Sequence, residues 1–276
     1  MSKVKTILKE LINNLQLIWT VARYNNKASF QGHYLGLIWE YLNPLIQIAI
    51  WGFVFGAIRN RAGVEVGAGN TIPFIPWMLV GMTAWMFMNR VTMSGATSVQ
   101  RKIKLVAKMQ FPTSILPAMT IAEKLYSYFF LVLCAIVIIL SSGIMPTIYW
   151  LKFTYYFFAM LVFLYFLALL NSTITILFRD YDNFLKPIMR LFFFFSGPIW
   201  RIHEMTETLP IWFIRFMDLT PFSYIITGLR HAFFGYGFYR EGWLLTTTAF
   251  WLIVLLIAII GSHLHLKLRS KFIDLA

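Results

Sequence analysis

Acidic side chains are scarce in this sequence, cysteine is almost absent, and no Gly-Lys dipeptide occurs. The chain of 276 residues carries 11 Asp and Glu and one Cys, and only 13% of its residues are charged. Each shortage excludes a class of chemistry. A lone Cys134 inside an apolar run rules out an intrachain disulfide and any metal site built on paired cysteines. Without Gly-Lys there is no phosphate-cradling Walker motif, so no ATPase of that type resides in this chain. A membrane-embedded transferase would concentrate carboxylates or histidines in one cavity or loop, whereas the acidic residues here are scattered. His203-Glu204, followed by Glu207, opens like a zinc-binding helix but lacks the second His. His263 and His265 stand two apart and so do not share a helix face. Asn171-Ser172-Thr173 has the form of a glycosylation acceptor, yet it lies within an apolar span where no glycan could be added.

What is abundant is apolar and aromatic. The hydrophobic fraction is 59%, with 27 Phe, 13 Tyr and 10 Trp. A water-soluble domain of this size would run out of polar residues to cover such a surface. Several stretches exceed the roughly 18 apolar residues needed to cross a bilayer. Membrane integration follows. The net charge of +13 would point to nucleic acid only if the basic residues formed a solvated patch. They sit instead between apolar spans, where they set topology. The first 24 residues alternate Lys and Asn with Leu and Ile and have no compact apolar core, unlike a cleavable signal.

Residues 4 to 22 have helical periodicity, with Val4, Leu8, Leu11, Leu15, Ile18 and Ala22 on one face. This amphipathic segment, within residues 1–30, either lies flat at the membrane interface or packs on a partner. Spans are expected at about Leu35 to Ile58 (interrupted by Asn43-Pro44), Ile72 to Ser94, Ile115 to Leu140, Phe153 to Phe178, Phe184 to Trp200 and Trp243 to Leu266. A Gly-rich polar hairpin, 59 to 71, joins the first two. Leu209 to Met217 and Phe222 to Phe234 are apolar but short and broken, a pattern that survives at membrane depth only when packed in protein or lining a cavity. Residues 201–240 are therefore expected to be re-entrant. With both termini in the cytosol, fifteen Lys and Arg fall on inner segments and seven on outer ones, which favours that orientation.

Glu40, Arg90, Glu123 and Lys124 fall within or at the edge of spans, toward the cytosolic side. Charges at bilayer depth cost several kcal/mol and so pair, snorkel or face water. Arg90 and Glu123 are the expected pair. Two readings stand: an inner vestibule that admits a charged headgroup, or snorkelling to the interface.

Phe30-Gln31, Tyr34-Leu35-Gly36, Trp39, Leu42-Asn43-Pro44-Leu45-Ile46-Gln47 and Val54-Phe55-Gly56 together resemble the first span of polysaccharide ABC-2 exporter permeases. The likeness continues in Pro73-Phe74-Ile75, Trp77-Met78-Leu79 and Gly81, then in Lys108, Phe111-Pro112 and Leu116-Pro117. Phe178-Arg179-Asp180, Pro221-Phe222 and Gly228-Leu229-Arg230 extend it over nearly the whole chain. Within that family it is nearest to the permeases of wall teichoic acid exporters. The resemblance implies an all-α integral membrane fold: one ABC-2 transmembrane domain over 1–276, with a six-span bundle at 35–266. It implies a homodimer bound to two copies of a separate ATPase, which would hold ATP and Mg, while this chain binds no cofactor or metal. The cargo would be an anionic polymer on undecaprenyl diphosphate, moved outward across the bacterial plasma membrane. Wall teichoic acid is the first expectation and O-antigen or capsular polysaccharide the alternative; a membrane-bound transferase or a drug efflux permease ranks below both.

The resemblance also assigns roles. Residues 100–111 would form the coupling helix that fits the ATPase. Ile103, Leu105, Val106 and Met109 would anchor it, Lys102, Lys104 and Lys108 would rim it, and Arg101 and Phe111 belong to the same contact segment. Alternatively, those basic residues are only a topology signal. Arg179 and Asp180 would make a second contact, or a simple loop ion pair. Arg23 and Lys27 would meet the lipid diphosphate or anionic headgroups generally. Tyr34, Trp39, Trp85, Phe87, Tyr126 and Tyr128 are candidate path residues, since rings stack on sugars; packing is the competing role. Arg201, Arg215 and Arg230 would guide the polymer outward, or anchor the outer leaflet.

Overall fold

The structure is a computed structural model describing residues 2–29, 36, 38–58, 63–65, 71–102, 112–178, 180–200, 209–235 and 242–272. The described residues include ten α-helices and one two-stranded hairpin. The helices are α1 (Ser2–Asn13), α2 (Leu15–Ser29), α3 (Ile38–Gly52), α4 (Phe74–Ala96), α5 (Ile115–Ser141), α6 (Lys152–Leu177), α7 (Tyr181–Ser196), α8 (Ile211–Asp218), α9 (Pro221–Phe234) and α10 (Trp243–Leu268). Strands β1 (Gly63–Glu65) and β2 (Thr71–Pro73) pair antiparallel, with Val64 opposite Ile72.

Helices α4 and α6 are the axis of the bundle. Helix α4 is apolar on nearly all sides, and such a helix must be covered all round. It packs against α5, α6, α7 and α9, and its residues from Trp77 to Met88 are all buried. Helix α6 sits between α4, α9 and α10. Of its most apolar window 67% is buried, against 22% for α10 and 11% for α3 with its extension. The outer faces of α3, α5 and α10 carry exposed Leu, Ile, Phe and Trp. In water such faces would be unstable; in a bilayer lipid covers them. Four described segments are long and apolar enough to cross a membrane: Ile38–Phe55, Ile115–Ser141, Ile148–Leu177 and Trp243–Leu268. At 23 residues, α4 is about 34 Å long but less apolar.

Local sequence explains the element ends. Helix α7 stops at Gly197, which adopts a left-handed φ of 60°. Helix α8 starts directly after Pro210, and α9 carries Pro221 in its first turn, where the missing N–H costs nothing. The Thr220 hydroxyl accepts a hydrogen bond from Ser223 N (3.4 Å) and caps α9. Pro44 does not interrupt α3, which runs through it; beyond Gly52 the helix widens into six residues of π type.

Two expectations change. The N-terminal segment is not one helix over 4 to 22 but two, broken at Asn14, whose side-chain Nδ2 donates to Glu10 O (2.7 Å). Ile7 is buried with Val4 and Leu11 half-buried beside it, while Leu8 and Leu15 point outward. The fifth apolar stretch begins earlier than Phe184 and ends sooner than Trp200, giving the 16-residue α7.

Helices α8 and α9 form a hairpin at the end of the bundle away from the termini. Phe222, at the start of α9, packs on Trp85 (5.7 Å between rings) and Phe163 (5.3 Å), which lie midway along α4 and α6. At the other end of α9, Phe233 packs on Trp150 and Phe153, before and at the start of α6. Helix α9 thus starts at mid-bundle depth and runs back to that end.

Candidate functional site

Charged residues gather at the end of the bundle that carries both termini. Glu123, on α5, accepts from Lys102 Nζ (2.8 Å) and from Asn25 Nδ2 (2.7 Å), and its backbone oxygen accepts from Asn26 Nδ2 (2.8 Å). Lys124, the next residue and so about 100° further round the helix, faces α3 instead, with Nζ 4.0 Å from Glu40 Oε1. The Glu40 side chain is 3% exposed, and neither carboxylate oxygen has a hydrogen-bond partner among the described residues. Lys124 and the half-buried Arg90 both act electrostatically on that carboxylate. The expected Arg90–Glu123 pair is therefore not made. Glu123 turns to α2 and Lys102, and Arg90 shares the field of Glu40.

Both flanks of residues 103–111 are tied into this end. Helix α4 ends at Ala96 with Thr97 as its cap, after which residues 98–102 are helical again. Lys102 is the point of attachment on that side. On the other side, Thr113 Oγ1 is 2.9 Å from His265 Nε2, and the Ser114 hydroxyl donates to Glu10, which also accepts from Arg269 Nη1 (3.0 Å). His265 Nδ1 is 3.0 Å from Thr173 Oγ1. The imidazole is fully buried and joins α10, α6 and the chain just before α5. His263, by contrast, points outward to Lys3 Nζ (3.2 Å). The two-residue spacing puts the two histidines on different faces, and His265 is the one that holds packed elements together. Ile103, Lys104, Leu105, Val106, Lys108, Met109 and Phe111 lie outside the described residues, as do Tyr34, Arg179 and Arg201. Arg101 is exposed.

The remaining candidates divide by burial. Trp85, Phe87 and Tyr128 are buried in the core. Phe87 and Tyr128 pack at 4.5 Å, Tyr128 stacks on Phe157 at 5.8 Å, and Trp85 meets Phe193 and Phe222 edge-on. Trp39 and Tyr126 are more than a third exposed, and Tyr126 packs edge-on against Trp19 of α2. Arg230 is no free outer cation either. Its guanidinium donates from Nε to Trp77 O (3.3 Å), from Nη1 to Gly197 O (2.9 Å) and from Nη2 to Pro198 O (2.6 Å), with Cζ 3.3 Å above the Trp77 ring. It straps α9 to α4 and to the end of α7. Gly81 makes room for it, since a Cβ there would stand 2.3 Å from Nη2. Arg215, on α8, lines a cavity.

The sequence profile of the ABC-2 type transporter family matches residues 16–234. The chain belongs to that family. Among curated proteins it is similar to the O-antigen export system permease protein RfbA of Myxococcus xanthus, 23% identical over 202 residues covering 73% of this chain and 74% of that one. It is similar to an O-antigen export system permease protein RfbA of Klebsiella pneumoniae, 22% identical over 265 residues, 94% of each chain. A second protein of that name and organism is 19% identical over 260 residues, again 94% of each. As an ABC-2 protein the chain is a transporter membrane subunit. Arg23 and Lys27 of this ABC-2 subunit are exposed one turn apart on α2, beside the buried Ala22 and Asn26. Asp180 is exposed just before α7, whose Tyr181 hydroxyl donates to Asn171 Oδ1 of α6 (3.0 Å).

Proposed function

We propose that this chain is the membrane-spanning subunit of an exporter that carries a lipid-linked polysaccharide of the O-antigen type outward across a bacterial plasma membrane. A separate ATPase, which holds ATP and Mg, drives it. The observation that carries this reading is similarity along 94% of both chains to O-antigen export permeases, within a family of transporter membrane subunits. The likeness to wall teichoic acid permeases is set aside for the cargo, because the relatives found are named for O-antigen export.

The six spans of this reading are α3, α4, α5, α6, α7 and α10, in one domain over 1–276. The distribution of basic residues supports both termini in the cytosol. Helices α8 and α9 then enter from the outer side and return, a course tolerated in a membrane because α9 is packed in protein. Residues 100–111 form the coupling helix that sits on the ATPase, with Arg179 and Asp180 as a second contact. The ties at Lys102, Thr113 and Ser114 support this, since they link both flanks of that segment to α1, α2, α5, α6 and α10. Arg23, Lys27, Arg90 and Lys124 supply positive charge near the inner face for an undecaprenyl-diphosphate headgroup. Trp39 and Tyr126 offer ring faces, and two copies of the chain frame the path.

Conditional depletion followed by compartment analysis of lipid-linked polymer tests this. Accumulation of undecaprenyl-linked O-antigen-type chains on the cytosolic face, with less at the cell surface, is the expected result. Accumulated polyol phosphate chains would return the cargo to teichoic acid. Unpolymerised precursors would indicate a transferase, and drug sensitivity with normal surface polymer an efflux permease.

A further inference from the structure

At the end of the bundle away from the termini, a cavity of about 430 Å³ opens between α8, α9 and the first turns of α6 and α10. That volume is in the range of small-molecule pockets. Its walls combine rings and hydroxyls. Tyr156 of α6 and Tyr224 of α9 meet edge-to-face at 5.6 Å, and Trp243 of α10 lines the cavity with them. Ser223, Thr227, Thr246 and Thr247 bring hydroxyls from two helices. Arg215 and Asp218 of α8 contribute one charge of each sign, and His231 adds an imidazole.

The wall is held in place from behind. The Tyr224 hydroxyl lies 3.2 Å from Thr247 Oγ1 and 3.1 Å from the Tyr155 hydroxyl, which accepts from Trp251 Nε1 (2.9 Å). The Tyr224 ring stacks on Phe250 at 4.5 Å. Tyr156 lies flat against Gly228, where a Cβ would come within 2.1 Å of the ring. Rings fixed in this way lose little freedom on binding.

We propose that this cavity is a saccharide-binding site that takes a glycosyl unit of the exported chain at the outer face of the membrane. The assignment rests on the export reading above. Sugar rings present C–H faces to aromatic side chains and a rim of hydroxyls that both donate and accept. Asp218 accepts from adjacent sugar hydroxyls, Arg215 donates, and the Ser and Thr hydroxyls do either. A diphosphate is disfavoured, because it requires an excess of cations and, among the described lining residues, the one guanidinium, Arg215, is accompanied by the Asp218 carboxylate. An apolar ligand is disfavoured by the hydroxyl-rich lining. A site here would hold the emerging chain against slipping back while the inner face resets.

The test uses full-length protein in lipid nanodiscs with Cys134→Ser and Thr246→Cys, leaving one thiol in the cavity. Maleimide labelling is timed with and without the repeat-unit oligosaccharide cut from the host's own surface polymer. Saturable slowing of the reaction is expected, with half-protection shifted about tenfold upward by Asp218→Asn, the loss of one charge-assisted hydrogen bond. Thr227→Cys replaces Thr246→Cys if the latter does not elute as folded protein. Unchanged labelling at saturating oligosaccharide, or equal protection by glycerophosphoethanolamine, would overturn the proposal in favour of no ligand or a lipid headgroup. Oligosaccharide protection in a protein whose depletion leaves surface polymer intact would defeat the export reading while keeping the cavity a sugar site; export without protection would defeat the cavity alone.

Discussion

Replacing Arg230 separates two roles that its position in the sequence leaves open. In the structure its guanidinium spans three carbonyls, those of Trp77, Gly197 and Pro198, and lies over the Trp77 ring. Arg230→Met keeps much of the volume but orphans those carbonyls. Removing one partner of a buried charge-assisted hydrogen bond costs about 1.5–3 kcal/mol, and the cation–π contact about 1–2 kcal/mol. These contributions share one group and are not additive, so about 4 kcal/mol is a reasonable total. At roughly 2–4 °C per kcal/mol, the unfolding midpoint should fall by about 10 °C. Arg230→Lys is the sharper variant. An ammonium keeps the charge but cannot reproduce the planar fork that reaches three oxygens, so Lys should recover only a minor part of the stability. Thermal unfolding in detergent, followed by monodisperse elution after heating, reads the effect. Wild-type stability in both variants, with export lost in Met and restored in Lys, would refute the strap and return Arg230 to a polymer-guiding role.

Three further outcomes are expected. In double-mutant cycles, Lys102→Met with Glu123→Gln should couple by about 1 kcal/mol, and Arg90→Met with Glu123→Gln by nearly zero; the reverse order would contradict the observed pairing. His265→Ala should destabilise by about 2–3 kcal/mol, because it leaves the Thr113 and Thr173 hydroxyls without their shared partner and opens a void; an unchanged melting curve would show the bridge is dispensable. Converting Lys102, Lys104 and Lys108 together to Glu should abolish co-purification with the ATPase while membrane insertion persists, and intact co-purification would remove residues 100–111 from that interface.

The sequence by itself determined where the long apolar helices lie. Observed α4, α5, α6 and α10 start and stop within about two residues of the expected spans, because apolar run length is a local property and bilayer thickness fixes it. The ABC-2 resemblance was likewise legible, being carried by residues in order along the chain. Periodicity did not fix the edge of the N-terminal face: on α1, Ile7 and Leu8 flank Val4 and Leu11 on either side, and packing buried Ile7 and left Leu8 exposed.

Only the tertiary structure decided the partners. Glu123 chose Lys102 and Asn25, 21 and 98 residues away, over the expected Arg90. Arg230 became a buried strap, and Trp85, Phe87 and Tyr128 became core. The cavity at the end away from the termini is assembled from helices α6, α8, α9 and α10, which no sequence window contains together. Hydropathy reports how much apolar surface a helix must hide. It does not report which neighbour hides it, since that depends on helix rotation and depth, set by packing across segments far apart in sequence.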